Sequence, residues 1–387
     1  MKFGATNNVR KFYVFEFLRF LSFTAPVIVL FWLENGLSMT QIMFLNAIYA
    51  VSLMLFQVPC GVLADRLGRK YNLVLSMAFT SLGAFTYFLG HGFWQFAIAE
   101  FIWGIGASLG TGSDSAFLYD TLKSEKREHE FKKTIGSSNA ITYFGLASAA
   151  VVGGFVAVRN SRLNFLLLSI AMIFALIVAL TFKEPKHFRK VEEKSYLKHM
   201  TDGFKEAFSN KNLFFLLLFS SLFVALNEIS YWAYQPYMAK SGVNVALFGI
   251  IGAAYFIFAL GGSKYAHKIE EYLTPRWSLW FVIILMTLSL LFMSYWFAMF
   301  GIIFIFLQRF SAGFYYPVMQ DYTHKQLASD KRATLMSIQA VSGSLLAAIL
   351  GPIFGYITDI FSLSTAMLIS SVVFFFAFSM LMLFRKK

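Results

Sequence analysis

The 387 residues are 58% hydrophobic, 19% aromatic and only 14% charged, with a mean hydropathy of +0.63. Soluble domains carry roughly a quarter charged residues, so this composition excludes a water-soluble globule and predicts a membrane protein. A membrane helix takes roughly 20 residues plus a turn, so the length holds about twelve. The net charge of +13 does not imply nucleic acid, because the basic residues gather between hydrophobic segments as they do in cytoplasmic loops. With Cys60 the single cysteine and six scattered histidines, neither a disulfide nor a metal site is expected, and no cofactor is called for.

Apolar stretches of spanning length fall at about 11–33, 40–63, 71–90, 93–119, 134–158, 163–182, 212–236, 244–263, 277–296, 298–320, 333–357 and 361–384. The start, MKFGATNNVRKFYVF, is positive, but the apolar run after it holds Glu16 and Arg19 and lacks a small-residue cleavage site. It reads as a retained first span, with Glu16 and Arg19 an i, i+3 pair near its inner end.

After span 2 the chain reads Gly61-Val-Leu-Ala-Asp65-Arg66-Leu-Gly68-Arg69-Lys70. Gly61 permits close helix packing, Gly68 a sharp turn, and Asp65 can accept from the N–H groups of a helix N-terminus. On span 4, Glu100, Gly104, Ala107, Thr111 and Asp114 share one face of a continuous helix, with Trp103 beside them. Glu100 lies in its outer half and Asp114 in its inner half, roughly 21 Å apart along the axis. The GIGASLGTG run there has no preceding strand, which argues against a nucleotide loop.

Residues 183–211 form the longest loop, with eight Lys/Arg. They divide a six-span bundle, 1–182, from a second, 212–387. Leu197, Met200, Phe204 and Phe208 recur in the loop at helical spacing, a pattern that fits a short amphipathic surface helix as well as a solvated linker. Span 7 carries Glu228 among Tyr231 and Trp232, and span 10 carries Arg309, ahead of Tyr315 and Tyr316. The halves echo each other, with Gly36 matching Gly242 and Asp120 matching Asp321. The expected fold is therefore all-α, twelve transmembrane helices in two pseudo-symmetric six-helix bundles.

Of the 33 basic residues, three (Arg159, Arg162, Lys240) fall in outer loops and two (Arg19, Arg309) within spans when both termini are placed inside. The reverse orientation would invert the positive-inside rule, so both termini are expected in the cytoplasm of a cell (inner) membrane. Glu16, Arg19, Glu100, Asp114, Glu228 and Arg309 are the charges within spans. Facing lipid, each would cost ~2.5–3.5 kcal/mol. They must face water, a partner or a ligand, and their placement in spans 1, 4, 7 and 10 points to a common polar chamber.

Residues 61–70 match G-x-L-A-D-R-x-G-R-K at every specified position. This resembles the signature between the second and third helices of the major facilitator superfamily, and the chain is similar to the bacterial drug and metabolite exporter-like branches. The resemblance implies transport by alternating access, with Asp65 meeting the start of span 11 and Arg69 pairing with an acid ending span 4, here Asp120. Such contacts lock the inner gate in the outward-open state, with Gly61, Asp65, Arg66, Gly68, Arg69 and Asp120 as the gate. The equivalent second-half loop, Gly262-Ser-Lys-Tyr-Ala-His267-Lys268, lacks the aspartate, which implies an asymmetric gate. Span 5 resembles the antiporter pattern G-x8-G-x3-G-P-x2-G-G through Gly136, Gly145, Gly153 and Gly154, but has Ala149-Ala150 where the pattern has Gly-Pro. Glu100 stands where many exporters of the superfamily have an arginine.

The expected function is secondary transport of a small molecule, as a proton-coupled exporter of amphipathic or cationic compounds. Glu16, Arg19, Glu100, Asp114, Glu228, Tyr231, Trp232 and Arg309 are the expected binding or coupling residues, and Asp114 or Glu228 the coupling acid. Four acids against two arginines leave the chamber negative, which favours cations. Two alternatives stand beside this: a transporter of an anionic metabolite or siderophore clamped by Arg19 and Arg309, and a lipid flippase or membrane-embedded enzyme. No nucleophile–base pair supports an enzyme. Expected partners are the substrate, protons and the bilayer, with the chain acting as a monomer.

Overall fold

The computed structural model describes residues 7–185, 210–326 and 332–384. The amphipathic segment at Leu197, Met200, Phe204 and Phe208 lies outside them. Among the described residues there is no strand. Ten helical segments are long and apolar enough to cross a membrane. They correspond to α3 (Met39–Leu67), α4 (Arg69–Leu89), α7 (Phe131–Asn160), α8 (Leu163–Leu180), α9 (Lys211–Lys240), α10 (Val245–Tyr272), α11 (Pro275–Tyr295), α12 (Ile302–Lys325), α13 (Arg332–Ile360) and α14 (Leu363–Phe384). Spans 1 and 4 complete the expected twelve, and both are broken. Span 1 is α1 (Asn7–Arg19) and α2 (Ile28–Glu34); span 4 is α5 (Phe93–Gly110) and α6 (Ser113–Ser124).

The breaks correct the reading of span 4 as one continuous face, and each has a local cause. In span 1, Pro26 has no N–H to give, and its ring disfavours helical backbone in the residue before it. The segment between α1 and α2 instead closes short turns, such as Ser22 N–H to Phe20 O and Val27 N–H to Thr24 O. In span 4, Thr111 is extended and Gly112 takes φ 77°, the left-handed region that costs other residues most. Exposed irregular backbone is tolerated within a membrane only where it is buried in protein or lines a water-filled cavity; the first break is covered, whereas Thr111 and Gly112 at the second are exposed. A Cβ on Gly153 of α7 would overlap the Phe23 carbonyl oxygen, and one on Gly145 would sit 3.1 Å from that of Phe17. Two glycines of the antiporter-like pattern thus serve as the seat for the broken first span. At the second break, buried Asn72 donates to the carbonyls of Cys60 (2.9 Å) and Leu109 (3.4 Å).

Two compact units divide the chain. The first holds Met1–Gly36, Ile48–Glu192 and Val245–Ala253; the second holds Leu37–Ala47, Glu193–Asn244 and Ala254–Lys387. In the first unit, α4 packs on α5 and α8, and α1 lies on α7 and α8. Phe12, Phe15, Phe117, Met172 and Phe182 fill its core, with Phe117 and Phe182 rings 4.6 Å apart. In the second unit α9 packs on α13, and α11 on α12 and α14. There Phe223 stacks on Tyr315 at 3.7 Å.

Two helix N-termini are capped by distant carboxylates. Glu184 accepts from the N–H groups of Arg69 and Lys70, both at 2.8 Å. Asp359 accepts from Met39 and Thr40 N–H, both at 2.8 Å, and from the Thr40 hydroxyl at 2.5 Å. Each meets donors that have no partner inside their own helix. Gly36 and Gly242, matched between the halves on sequence, take nearly the same left-handed conformation, φ 79° and 74°.

Candidate functional site

The broken spans place three charges at helix ends. Arg19 is the last residue of α1 and Asp114 lies in the first turn of α6. A cation at a helix C-terminus and an anion at an N-terminus each oppose the local partial charge of the backbone. Arg19 Nη1 then joins both acids, with Asp114 Oδ2 at 2.8 Å and Glu16 Oε1 at 3.2 Å. The hydroxyl of Thr142 donates to the other oxygen of Glu16 at 3.4 Å. Arg19 also lies over the Phe20 ring at 5.2 Å. A Cβ on Gly110 would fall 2.7 Å from Arg19 Nη2, so glycine there makes the room that the guanidinium uses. Two carboxylates on one guanidinium leave the cluster with one net negative charge.

Glu100 is elsewhere in the same unit. It is buried and accepts a 2.6 Å hydrogen bond from Tyr87. Tyr87 is enclosed by Phe96, Phe165 and Trp103 at ring distances of 5.1, 4.6 and 6.0 Å. The structure therefore does not bring Glu100 into the Glu16–Arg19–Asp114 cluster. It holds the acid between α4 and α5, in aromatic surroundings to which Trp103 belongs. The sequence reading missed Tyr87, and an aromatic within an apolar span offers little to find it by.

The second unit builds a different site. Arg309 lies over the rings of Tyr231 and Tyr234, 5.8 and 5.4 Å from their centroids. It donates to the side-chain oxygen of Asn227 and to the Tyr234 hydroxyl, which itself donates to Gln308 at 2.6 Å. Glu228 accepts from Trp232. None of the ion pairs among the described residues includes Arg309 or Glu228. Tyr231 and Trp232 were expected here; Asn227, Tyr234 and Gln308 join them. The signal for Asn227 was a second polar residue beside Glu228 in an apolar span.

In the loop between α3 and α4, Arg69 pairs with Asp65 at 2.9 Å, not with Asp120, and Glu184 takes the α4 N-terminus. Arg66 is exposed. Asp321, the counterpart of Asp120, pairs with Lys325 at 2.5 Å. A Cβ on Gly61 meets nothing within 4 Å, which corrects its reading as a close-packing glycine. Gly68 has φ 104° and packs against Glu184.

The Major Facilitator Superfamily model matches residues 12–235 and 217–387. The chain belongs to that superfamily. This transporter is 25% identical over 294 residues to the quinolone resistance protein NorA of Staphylococcus aureus, covering 74% of this chain and 73% of that one. It is 26% identical over 251 residues to multidrug resistance protein 1 of Bacillus subtilis, covering 64% of this chain and 60% of that one. Among solved structures, the nucleoside transporter NupG matches with a TM-score of 0.81 at 15% identity, over 98% of this chain and 100% of that one, a likeness of fold. The protein is a multi-pass membrane transporter, not an enzyme.

Proposed function

We propose that the chain is a proton-coupled exporter of amphipathic cations, acting as a monomer with both termini in the cytoplasm. The observation that carries this is the partly buried cluster of Glu16, Arg19 and Asp114, two acids on one guanidinium at the ends of two broken helices. Its net negative charge attracts a cation. One proton on either acid leaves a neutral pair and removes the attraction, so proton and substrate exclude each other as an antiporter requires. Asp114 is the better coupling acid, because its side chain is 26% exposed against 7% for Glu16. When it is protonated, Arg19 keeps Glu16 as its counter-charge. The resistance proteins among the relatives support export by their names, and the distribution of Lys and Arg supports the orientation.

Purified protein in liposomes with an acidic lumen tests this, with labelled tetraphenylphosphonium as the probe cation. Accumulation should follow the pH gradient in the native chain. Asp114→Asn should abolish that accumulation and keep exchange of labelled against unlabelled probe. Full gradient-driven accumulation by this variant removes Asp114 as the coupling acid. Indifference of the native chain to the gradient removes proton antiport.

A further inference from the structure

Each compact unit contains a short segment from the other half of the sequence. The start of span 2, Leu37–Ala47, groups with second-half helices, and the start of span 8, Val245–Ala253, groups with first-half helices. Their partners are the ends of spans 11 and 5. A Cβ on Gly355 of α13 would sit 2.6 Å from the Met39 carbonyl oxygen, and one on Gly249 of α10 would overlap that of Ala150 in α7. In a chain of alternating spans, even-numbered spans begin and odd-numbered spans end on the same membrane face. All four segments therefore share one face, which the orientation proposed above makes the outer one. On the opposite face Arg69 pairs with Asp65, not with the Asp120 expected to lock that side.

The glycine contacts hold by close packing of backbones, and Asp359 adds a charged bond to one of them. Its carboxylate accepts from Met39 N–H, Thr40 N–H and the Thr40 hydroxyl, across 320 residues of chain. The anion also opposes the partial positive charge of the helix start. Yet the start of α3 has a cap of its own. The Gln41 side chain accepts from Ser38 N–H at 3.0 Å, and Ser38 Oγ accepts from Gln41 N–H at 3.3 Å, the reciprocal pair of a capping box. A helix start held locally in this way keeps its first turn when Asp359 leaves. Asp359 is exposed, so water can replace both partners as the contact parts. The bond is therefore additional to the local structure and releasable. We infer that Asp359 is a latch of the transport cycle. It holds the start of span 2 on the end of span 11 in this structure, and its three hydrogen bonds part and re-form each time this face opens.

Thiol labelling of the purified full chain in detergent tests the latch. In a Cys60→Ser background, Met43→Cys reports on the contact of spans 2 and 11, and Ala150→Cys on that of spans 5 and 8; both positions are buried. A buried thiol reacts in proportion to the time its contact spends open. Asp359→Ala should raise both labelling rates by about 2- to 30-fold, the factor that corresponds to loss of a helix cap. A Cβ on Gly351 would lie 3.7 Å from that of Met43, a separation that suits a disulfide. Bridging Met43→Cys to Gly351→Cys in the Asp359→Ala chain should return the Ala150→Cys rate to its native value. Should Asp359→Ala fail to fold, Asp359→Asn serves: it keeps one acceptor and should give a smaller rise at both reporters. A rise at Met43→Cys alone means local fraying of α3, and it overturns the latch, as does an unchanged rate at both positions or a bridge without effect at Ala150→Cys. The measurement needs neither a substrate nor an orientation, so its failure is separable from failure of the exporter reading.

Discussion

Arg19→Gln should be among the most destabilising single substitutions in this chain. It removes the donor that lies 2.8 Å from Asp114 and 3.2 Å from Glu16, and leaves two acids facing each other with no cation. Breaking a buried ion pair by removing one partner costs about 3–5 kcal/mol; with Asp114 26% exposed the lower end, about 3 kcal/mol or roughly a 150-fold rise in the unfolded population, is expected. Asp114→Asn is a much smaller change. It leaves the Arg19–Glu16 pair balanced, and the amide oxygen can still accept from the Ser115 N–H that now meets Asp114 at 2.6 Å, so about 1 kcal/mol is expected. A triple variant with Glu16→Gln, Arg19→Gln and Asp114→Asn replaces the ions with neutral polar groups. It should recover much of what Arg19→Gln loses, because neutral replacement avoids desolvating charge. The assay is thermal unfolding in detergent, followed by a thiol-reactive dye on Cys60, which is the single cysteine and is buried. If Arg19→Gln unfolds with Asp114→Asn, or if the triple variant is worse than Arg19→Gln, the acids are solvated and the cluster does not behave as a buried unit.

Tyr87→Phe removes the donor to buried Glu100 and should cost about 1–3 kcal/mol; the same dye assay checks it, and no change would mean that Glu100 has another partner. Gly112→Ala should cost about 1–2 kcal/mol by conformation alone, since a Cβ there meets nothing within 4 Å. Gly112→Asn should unfold closer to the native chain, and equal losses for the two would place the cost in packing rather than backbone. Asp359→Ala removes three hydrogen bonds at the start of α3 and should cost about 0.5–2 kcal/mol, as loss of a helix cap does; faster amide exchange at Met39 and Thr40 is the direct readout.

Much of the fold was legible in the sequence because a bilayer imposes long apolar runs, and charge between them marks the ends. The six charges within spans could be named for the same reason, since a charge in hydrocarbon is conspicuous against an apolar background. The repeat was also legible at Gly36 and Gly242, which share a left-handed turn that glycine accommodates without strain. What the sequence did not reveal is which of these charges would meet. Glu100 and Asp114 seemed to share a helix face, yet Thr111 and Gly112 break the helix, and one acid goes to Tyr87 while the other goes to Arg19. The partners that decide these environments, Tyr87 for Glu100, Thr142 for Glu16, and Asn227 and Tyr234 for Arg309, come from other helices. Their types carry no distinctive pattern along the chain. Composition and periodicity thus determined the number and approximate extent of the spans, because those follow from the solvent that each residue sees. Tertiary structure alone decided the ion cluster and the surroundings of Arg309, because hydrogen bonds and ion pairs act over about 3 Å and depend on where separate helices place their ends.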